Sequence, residues 1–432
     1  MHPRRRPPGT RSAPTRPRTG RTVLAVGLLV GLAPTSCGGD DRAAGPSTTS
    51  TSAATAGTAP VVAVPGDVPT IAAALERVAE GGLVLISPGT YRESVTVETR
   101  GVTIRGLDRD AVVLDGGDQM ENGFLVVSDG VVIENLTIHS YRSNGVVVTG
   151  DYGKGRALDG YRLSHVTAYN NGLYGLYGFN AVHGQIDHTY TSGHPDAGIY
   201  VGQCYPCDTL VIDDVAEHNA VGFQNTNAGG NLVVARSVWS HNRVGVEPNS
   251  STKETTYPQR ESTIVANRIT DNNDASAPKA TEAFGVGIAI GAGHGNIVRR
   301  NVVTGNAVAG VAMAPQEQFI PEDNVVSDND LSGNGVDLAY LAADGAAHGN
   351  CFSANRFATS TPADIERVLS CMPEALGGSG RLDQPAAPPD VDHRTVAAPG
   401  PQPGMADPAG SPHGPATNLP PTIDVDALVV PS

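Results

Sequence analysis

The chain has 432 residues, a formal charge of −15, 52 Gly and 32 Pro, and only 17% charged residues. The first 36 residues hold seven Arg and no acid, which leaves 22 basic against 44 acidic residues in the remainder. A body that acidic has no basic surface to displace counterions from a phosphate backbone, so nucleic acid is excluded as a partner, and the Gly/Pro richness argues for many turns and short strands rather than a helical bundle.

The Arg-rich start (Arg4, Arg5, Arg6, Arg16, Arg18, Arg21) precedes a short apolar run, Val23 to Leu32, and then Ala33-Pro34-Thr35-Ser36-Cys37-Gly38-Gly39. This order is that of an export signal, residues 1–36. A small residue before Cys resembles a bacterial lipoprotein signal, which implies lipidation at Cys37 and a membrane partner through that lipid. Pro34 stands where such signals carry Leu, and the alternative is an ordinary secretory signal cut near Ala33 or Ser36. Either reading places the protein outside the cytoplasm. Residues 37–60 are Ser, Thr, Ala and Gly with few large apolar side chains and read as a disordered tether.

Thr70 to Ala79 reads as a short amphipathic helix stopped by Gly81-Gly82. Beyond it, short units recur: Val-Thr-Ala-Tyr-Asn-Asn at 166–171, Val-Ala-Glu-His-Asn at 215–219, Val-Trp-Ser-His-Asn at 238–242 and Val-Val-Thr-Gly-Asn at 302–306. Each precedes a glycine and an alternating apolar segment. The glycines are Gly175, Gly198, Gly222, Gly245, Gly287, Gly310 and Gly335, at steps of 23, 24, 23, 42, 23 and 25. A strand unit of this length has two unpaired edges and a half-buried face, and parallel stacking closes both. The fold expected is all-β: a single-stranded right-handed parallel β-helix over residues 61–376 with about ten or eleven coils, roughly 50 Å long at ~4.8 Å per coil. Asn and Gly at the corners tolerate left-handed backbone geometry, and Asn amides can stack between coils. The 42-residue step reads as one coil with a loop inserted from Asn249 to about Ala283. Thr361 to Cys371 reads as a helical cap, and residues 377–432, rich in Pro, Ala and Gly, as a disordered tail. With Cys37 set aside, the four remaining cysteines suggest two disulfides, Cys204–Cys207 and Cys351–Cys371. Redox use of Cys204-Tyr205-Pro206-Cys207, or a metal site with His194 or His218, is the alternative for the first pair. His139, His165, His188, His241 and His294 fall at coil turns without ligand spacing and read as structural.

The segments Val68-Pro69-Thr70-Ile71-Ala72-Ala73-Ala74-Leu75, Gly82-Leu83-Val84-Leu85-Ile86-Ser87-Pro88-Gly89-Thr90-Tyr91, Val102-Thr103-Ile104-Arg105-Gly106 and Leu114-Asp115-Gly116 resemble the start of right-handed parallel β-helix repeat proteins of the pectin-lyase-like superfamily. The resemblance spans residues 64 to about 357. It implies the fold and a range of activities: polysaccharide lyases, hydrolases, esterases, epimerases, adhesins and periplasmic metal-site maturation factors.

If the first residue after each marker glycine points inward, the second points outward. That register gives a ladder Tyr177, Tyr200, Gln224, Glu247, Ala289, Ala312, Asp337, flanked by Asn180, Gln203, Asn227 and Ser250. Aromatic faces beside amides and a carboxylate can grip a sugar chain, so Asn180, Tyr200, Gln203, Gln224, Asn227 and Glu247 are the candidate substrate-binding residues; a plain solvated face is the other reading. Tyr177-Gly178-Phe179-Asn180-Ala181-Val182-His183 is similar to the Tyr-Gly-Phe-Asp-Pro-His motif of alginate C5-epimerases, in which Tyr, Asp and His move a proton beside a carboxylate-bearing carbon. Here Asn180 stands in place of the Asp and one extra residue displaces His183. With Asp196 as the carboxylate, the resemblance implies Tyr177, His183 and Asp196 as catalytic residues for elimination or epimerisation of a uronate. The expectation is an exported, monomeric surface protein that binds, and cleaves or epimerises, an acidic polysaccharide. The alternative is a non-catalytic envelope protein, an adhesin or a metal-site maturation factor. No metal or other cofactor is expected, save Ca2+ if the chain is a lyase.

Overall fold

The computed structural model describes residues 57–279, 281–372 and 375–432. The signal, Cys37 and most of the tether lie outside these residues. Strand formation starts at Ala59. Nearly every strand pairs in parallel with its counterpart one coil away, in a 20-stranded and an 11-stranded sheet. The larger sheet turns a corner and so supplies two faces of the coil. The smaller one is the third face, and its eleven strands agree with the coil number expected from the period.

The alternating segments point one side inward, and those residues stack into continuous columns. On the first face the column runs Val62, Val84, Ile104, Ile133, Leu163, Ile186 and onward through Val211, Val234, Ile264, Val298 and Val326 to Phe352. All are at most 1% exposed. Each β-branched rung is worth about 1.5–3 kcal/mol of burial, and a one-residue slip would send the column to solvent, so the register is strongly fixed.

The corner between the first two faces is a column of left-handed residues: Asn135, His165, His188, Asp213, Arg236, Ala266 and Arg300. Inside the second corner, buried amides stack. Asn219 Nδ2 donates to Asn242 Oδ1 at 3.0 Å, Asn242 to Asn272 at 3.0 Å and Asn272 to Asn306 at 3.1 Å. His194 occupies one rung of this amide column, its Nδ1 2.8 Å from Asn219 Oδ1, and burial holds it neutral with its pKa pushed down to about 3. The marker glycines have a steric cause. A Cβ on Gly222 would sit 2.7 Å from the Gly245 carbonyl, and one on Gly245 2.6 Å from that of Gly287.

The caps are present. Helix α1, Ile71–Arg77, is N-capped by Thr70 Oγ1, which accepts from Ala73 N at 3.1 Å, and it buries Ile71, Ala74 and Leu75 over the first coil. The C-terminal cap is shorter than expected. Thr361 ends the last strand and α2 spans only Ile365–Val368. Both expected disulfides form, so Cys204 and Cys207 offer no free thiolate for redox or metal chemistry. Among the described residues no helix is long and apolar enough to cross a membrane.

Two expectations are corrected. The 42-residue step is not one insertion: two ordinary strands, Arg260–Val265 and Arg268–Thr270, lie inside it, separating loop 250–259 from loop 271–285. The tail is not disordered. Residues 377–432 form almost no regular structure, but they run back along the outside of the coils. Arg109 binds the Pro403 carbonyl, Gly130 O accepts from Ala416 N, and Arg268 binds the Pro431 carbonyl. Composition predicts that such a chain cannot bury its own side chains; it is ordered by a surface built elsewhere in the molecule.

Candidate functional site

The third-face strands Leu176–Phe179, Ala197–Gly202, Val221–Thr226 and Val244–Asn249 pair in the register expected. Tyr177 lies beside Tyr200, Tyr200 beside Gln224, and Gln224 beside Glu247. Downstream, Ala312 pairs with Ala339, not Asp337. The stretch before Gly335 is two residues longer, so Gly310 stacks on Asp337, which displaces the marker.

The face is covered, where an open groove was expected. Loop 250–259 folds back over it: Glu254 Oε1 accepts from Tyr200 Oη at 2.7 Å, and Gln203 Nε2 donates to Thr255 Oγ1 at 2.7 Å. Asn227 Nδ2 donates to Ser251 O at 2.7 Å. Gln203 and Asn227 therefore hold the loop down instead of facing solvent. Tyr200, Gln224 and Glu247 are each at most 3% exposed. Tyr174, Tyr177 and Phe179 remain half-buried at the edge of the loop. Their rings stack, Tyr174 on Tyr177 at 4.6 Å, Tyr177 on Tyr200 at 4.8 Å and on Phe179 at 5.7 Å.

Three carboxyl groups sit with these rings. Burial pushes Asp196 up to about 6, against a bond from Tyr174. Burial likewise pushes Glu247 and Glu254 up to about 7 each. Gln224 Nε2 donates to Glu247 Oε2 at 2.8 Å. Burial, with Glu254 and Asp196 nearby, raises the Tyr177 hydroxyl well above its ordinary value, so it stays protonated and is a poor base.

The predicted catalytic trio is split. Tyr177 and Asp196 share the cluster, but His183 does not. The strand ends at Phe179, Asn180 turns the corner in the left-handed region, and His183 emerges on the first face, where its Nδ1 lies 2.6 Å from Asp159 Oδ1. Asn180 faces the 150s loop, donating to Arg156 O at 3.0 Å. Tyr174 and Glu254 were missed. Tyr174, three residues before Tyr177, was open to inspection; Glu254 lies in a loop outside the repeat and carries no periodic signal. His165 and His188, which read from the sequence as structural and without ligand spacing, stack at 4.7 Å and come to ligand spacing with Asp187; their 23-residue separation is one coil.

Ca2+ does not fit the tyrosine cluster. Among the described residues, Asp196, Glu247 and Glu254 do not converge to ligand spacing; the group that does is His165, Asp187 and His188. That group is nitrogen-rich, unsuited to a cation that takes oxygen ligands, and Asp187 is already held by both Arg162 Nε and Nη2 at 2.9 Å.

Residues 247–364 match the family model described as the right handed beta helix region. No curated protein matches the chain. Among solved structures, the chain is similar to the mannuronan C-5 epimerase A-module of Azotobacter vinelandii, at 15% identity over 65% of this chain and 87% of that one, with a TM-score of 0.48. It is also similar to an alginate lyase from Paenibacillus sp. str. FPU-7, at 12% identity over 69% and 98%, TM-score 0.38. A DFA-IIIase from Arthrobacter chlorophenolicus A6 matches at 13% over 64% and 84%, TM-score 0.43. Strand order, register and the matched region together identify the chain as a right-handed parallel β-helix.

Proposed function

We propose that this is an exported β-helix that binds an acidic polysaccharide on its third face, across Tyr174, Tyr177 and Phe179. The observation that carries the reading is the stacked tyrosine platform set against carboxyl groups held near neutrality. Aromatic faces take the apolar side of a sugar ring. Well below pH 6, Asp196, Glu247 and Glu254 are largely neutral; above 7 they are anionic, and their charge behind the platform repels a uronate. Binding therefore weakens as pH rises from about 6 to 8.

Proton transfer beside the sugar carboxylate falls to Glu254. Its pKa suits a group that both takes and returns a proton near neutral pH, with Tyr200 bonded to it and Tyr177 adjacent. A lyase generates an unsaturated product absorbing near 235 nm. Incubation with uronate polymers tests this: an absorbance rise lost in Glu254→Gln supports turnover, and a rise unaffected by that change removes Glu254 from the chemistry. The non-catalytic alternative draws on the depth of Tyr200 and Glu247 beneath loop 250–259, which leaves only the platform edge for a ligand. It predicts glycan binding with no absorbance change. The Cys204–Cys207 disulfide speaks against a thiolate metal site in a maturation factor.

A further inference from the structure

Neither the fold nor glycan chemistry explains the way the tail is held. Arginines on the outside of the coils meet its backbone carbonyls, largely at prolines. Arg243 Nη1 and Nη2 donate to Pro388 O at 2.9 Å and Pro389 O at 2.7 Å. Arg109 Nη1 donates to Pro403 O at 2.7 Å. Arg105 reaches Pro408 O at 3.1 Å and Pro412 O at 2.6 Å, and Arg268 Nη2 reaches Pro431 O at 2.7 Å. Arg105, Arg109 and Arg243 are at most 4% exposed although they lie on the outer side. The acceptors of Arg109 are the carbonyls of Val166, His188 and Pro403 and the Thr167 hydroxyl, all neutral. A proline-rich extended chain makes no internal hydrogen bonds and leaves its carbonyls free. Arginine forks supply donors to them without needing a particular side chain.

The last segment adds side-chain specificity. Outward residues Leu210, Ile212, Ala235 and Val265 form an apolar patch on the first face, and Ile423, Val425, Leu428 and Val430 pack on it. An outward apolar patch on a sheet is unusual unless something covers it. The tail thus occupies a track with two parts, arginines for carbonyls and an apolar patch for alternating side chains.

We propose that this track is a peptide-binding site for extended proline-rich chain, filled in cis by residues 386–431 and able to take the same segment from a second copy. It is separate from the tyrosine platform, which lies on another face. Recognition of main-chain carbonyls favours a peptide over an anionic glycan, because the arginine donors that face the tail meet neutral backbone acceptors and Arg105 already has its counter-charge in Glu134 at 2.6 Å.

The test uses the full chain with a protease site inserted between Pro385 and Ala386, both exposed, cut after folding. The account expects the 386–432 fragment to co-elute with the body on gel filtration. It also expects a labelled synthetic 386–432 peptide to exchange into the nicked protein. The fragment should be lost at least tenfold more readily in Ile423→Ser/Val425→Ser/Leu428→Ser, changes confined to the tail that leave the coil body's far-UV spectrum unaltered. Immediate release of the wild-type fragment overturns the proposal. So does displacement by polyuronate oligosaccharides with no exchange of the peptide, which would make the track a glycan site. Loss of glycan binding at Tyr177→Ala with the fragment retained separates this proposal from the previous one.

Discussion

The third face carries two stretches built on the same coil positions. Upstream the outward column reads Tyr177, Tyr200, Gln224, Glu247; downstream it reads Ala289, Ala312, Ala339. The inward partners are alike, Ile199 and Phe223 against Ile288 and Val311, all fully buried. Backbone register, glycine stacking and the amide column continue through both. The coil is therefore indifferent to what it displays, and the chemistry of this face was placed on four coils without altering the scaffold. The loop that covers the upstream stretch is anchored there by Tyr200, Gln203 and Asn227, contacts that alanines cannot make.

If the upstream stretch bears a stability cost for its buried acids, removing one should show it. Glu247 binds its proton more tightly folded than unfolded. Between about pH 4.5 and 7 the native state holds the extra proton, so stability is highest below the unfolded pKa and falls as pH rises through the folded one. A shift of this size corresponds to something on the order of 3 kcal/mol. Glu247→Gln should flatten that decline in denaturant melts at pH 4.5 and 7.5, and Ala289→Ser, its downstream counterpart, should leave the pH dependence unchanged.

The scaffold itself should respond equally on both sides. Asn242→Ala and Asn306→Ala each interrupt the amide column and strand a buried backbone N–H on the neighbouring coil, Asn219 N in the first case and Asn272 N in the second. Each should cost about 2 kcal/mol. Unequal losses in matched urea melts would show that the columns under the two stretches differ after all. The Cys351–Cys371 bond closes a loop of about 20 residues at the far end. Cys371→Ser should lower the melting temperature and cost less than the nominal ~3 kcal/mol for a loop of this length, because the cap it pins is only one turn. An unchanged midpoint in non-reducing buffer would remove that role.

Much of this was legible before the structure. The 23-residue step gave the coil, and the step after each glycine gave the Tyr177–Glu247 column in its true register, because periodicity is a property of local sequence. Three things were not. Glu254 sits in a loop that obeys no period. His183 follows a corner whose direction depends on Asn180 adopting φ 52, so nearness in sequence to Tyr177 became separation across faces. The tail has a composition that predicts disorder, and its order comes from arginines some 150 to 300 residues away in sequence. For Glu254 and the tail the deciding contact is long-range, and a window of local sequence does not contain it; for His183 one left-handed residue at the corner decides.

The smallest expected effect is also the most telling. Titrating wild type, Tyr177→Ala and Ala312→Ser with a polyuronate oligosaccharide at pH 5.5 and pH 8 compares the two stretches directly. The account predicts binding by wild type and Ala312→Ser at pH 5.5, weakened at least tenfold by Tyr177→Ala and by the move to pH 8. Binding that is absent from wild type, or that survives Tyr177→Ala and the rise in pH alike, would contradict a glycan site on the upstream tyrosine platform.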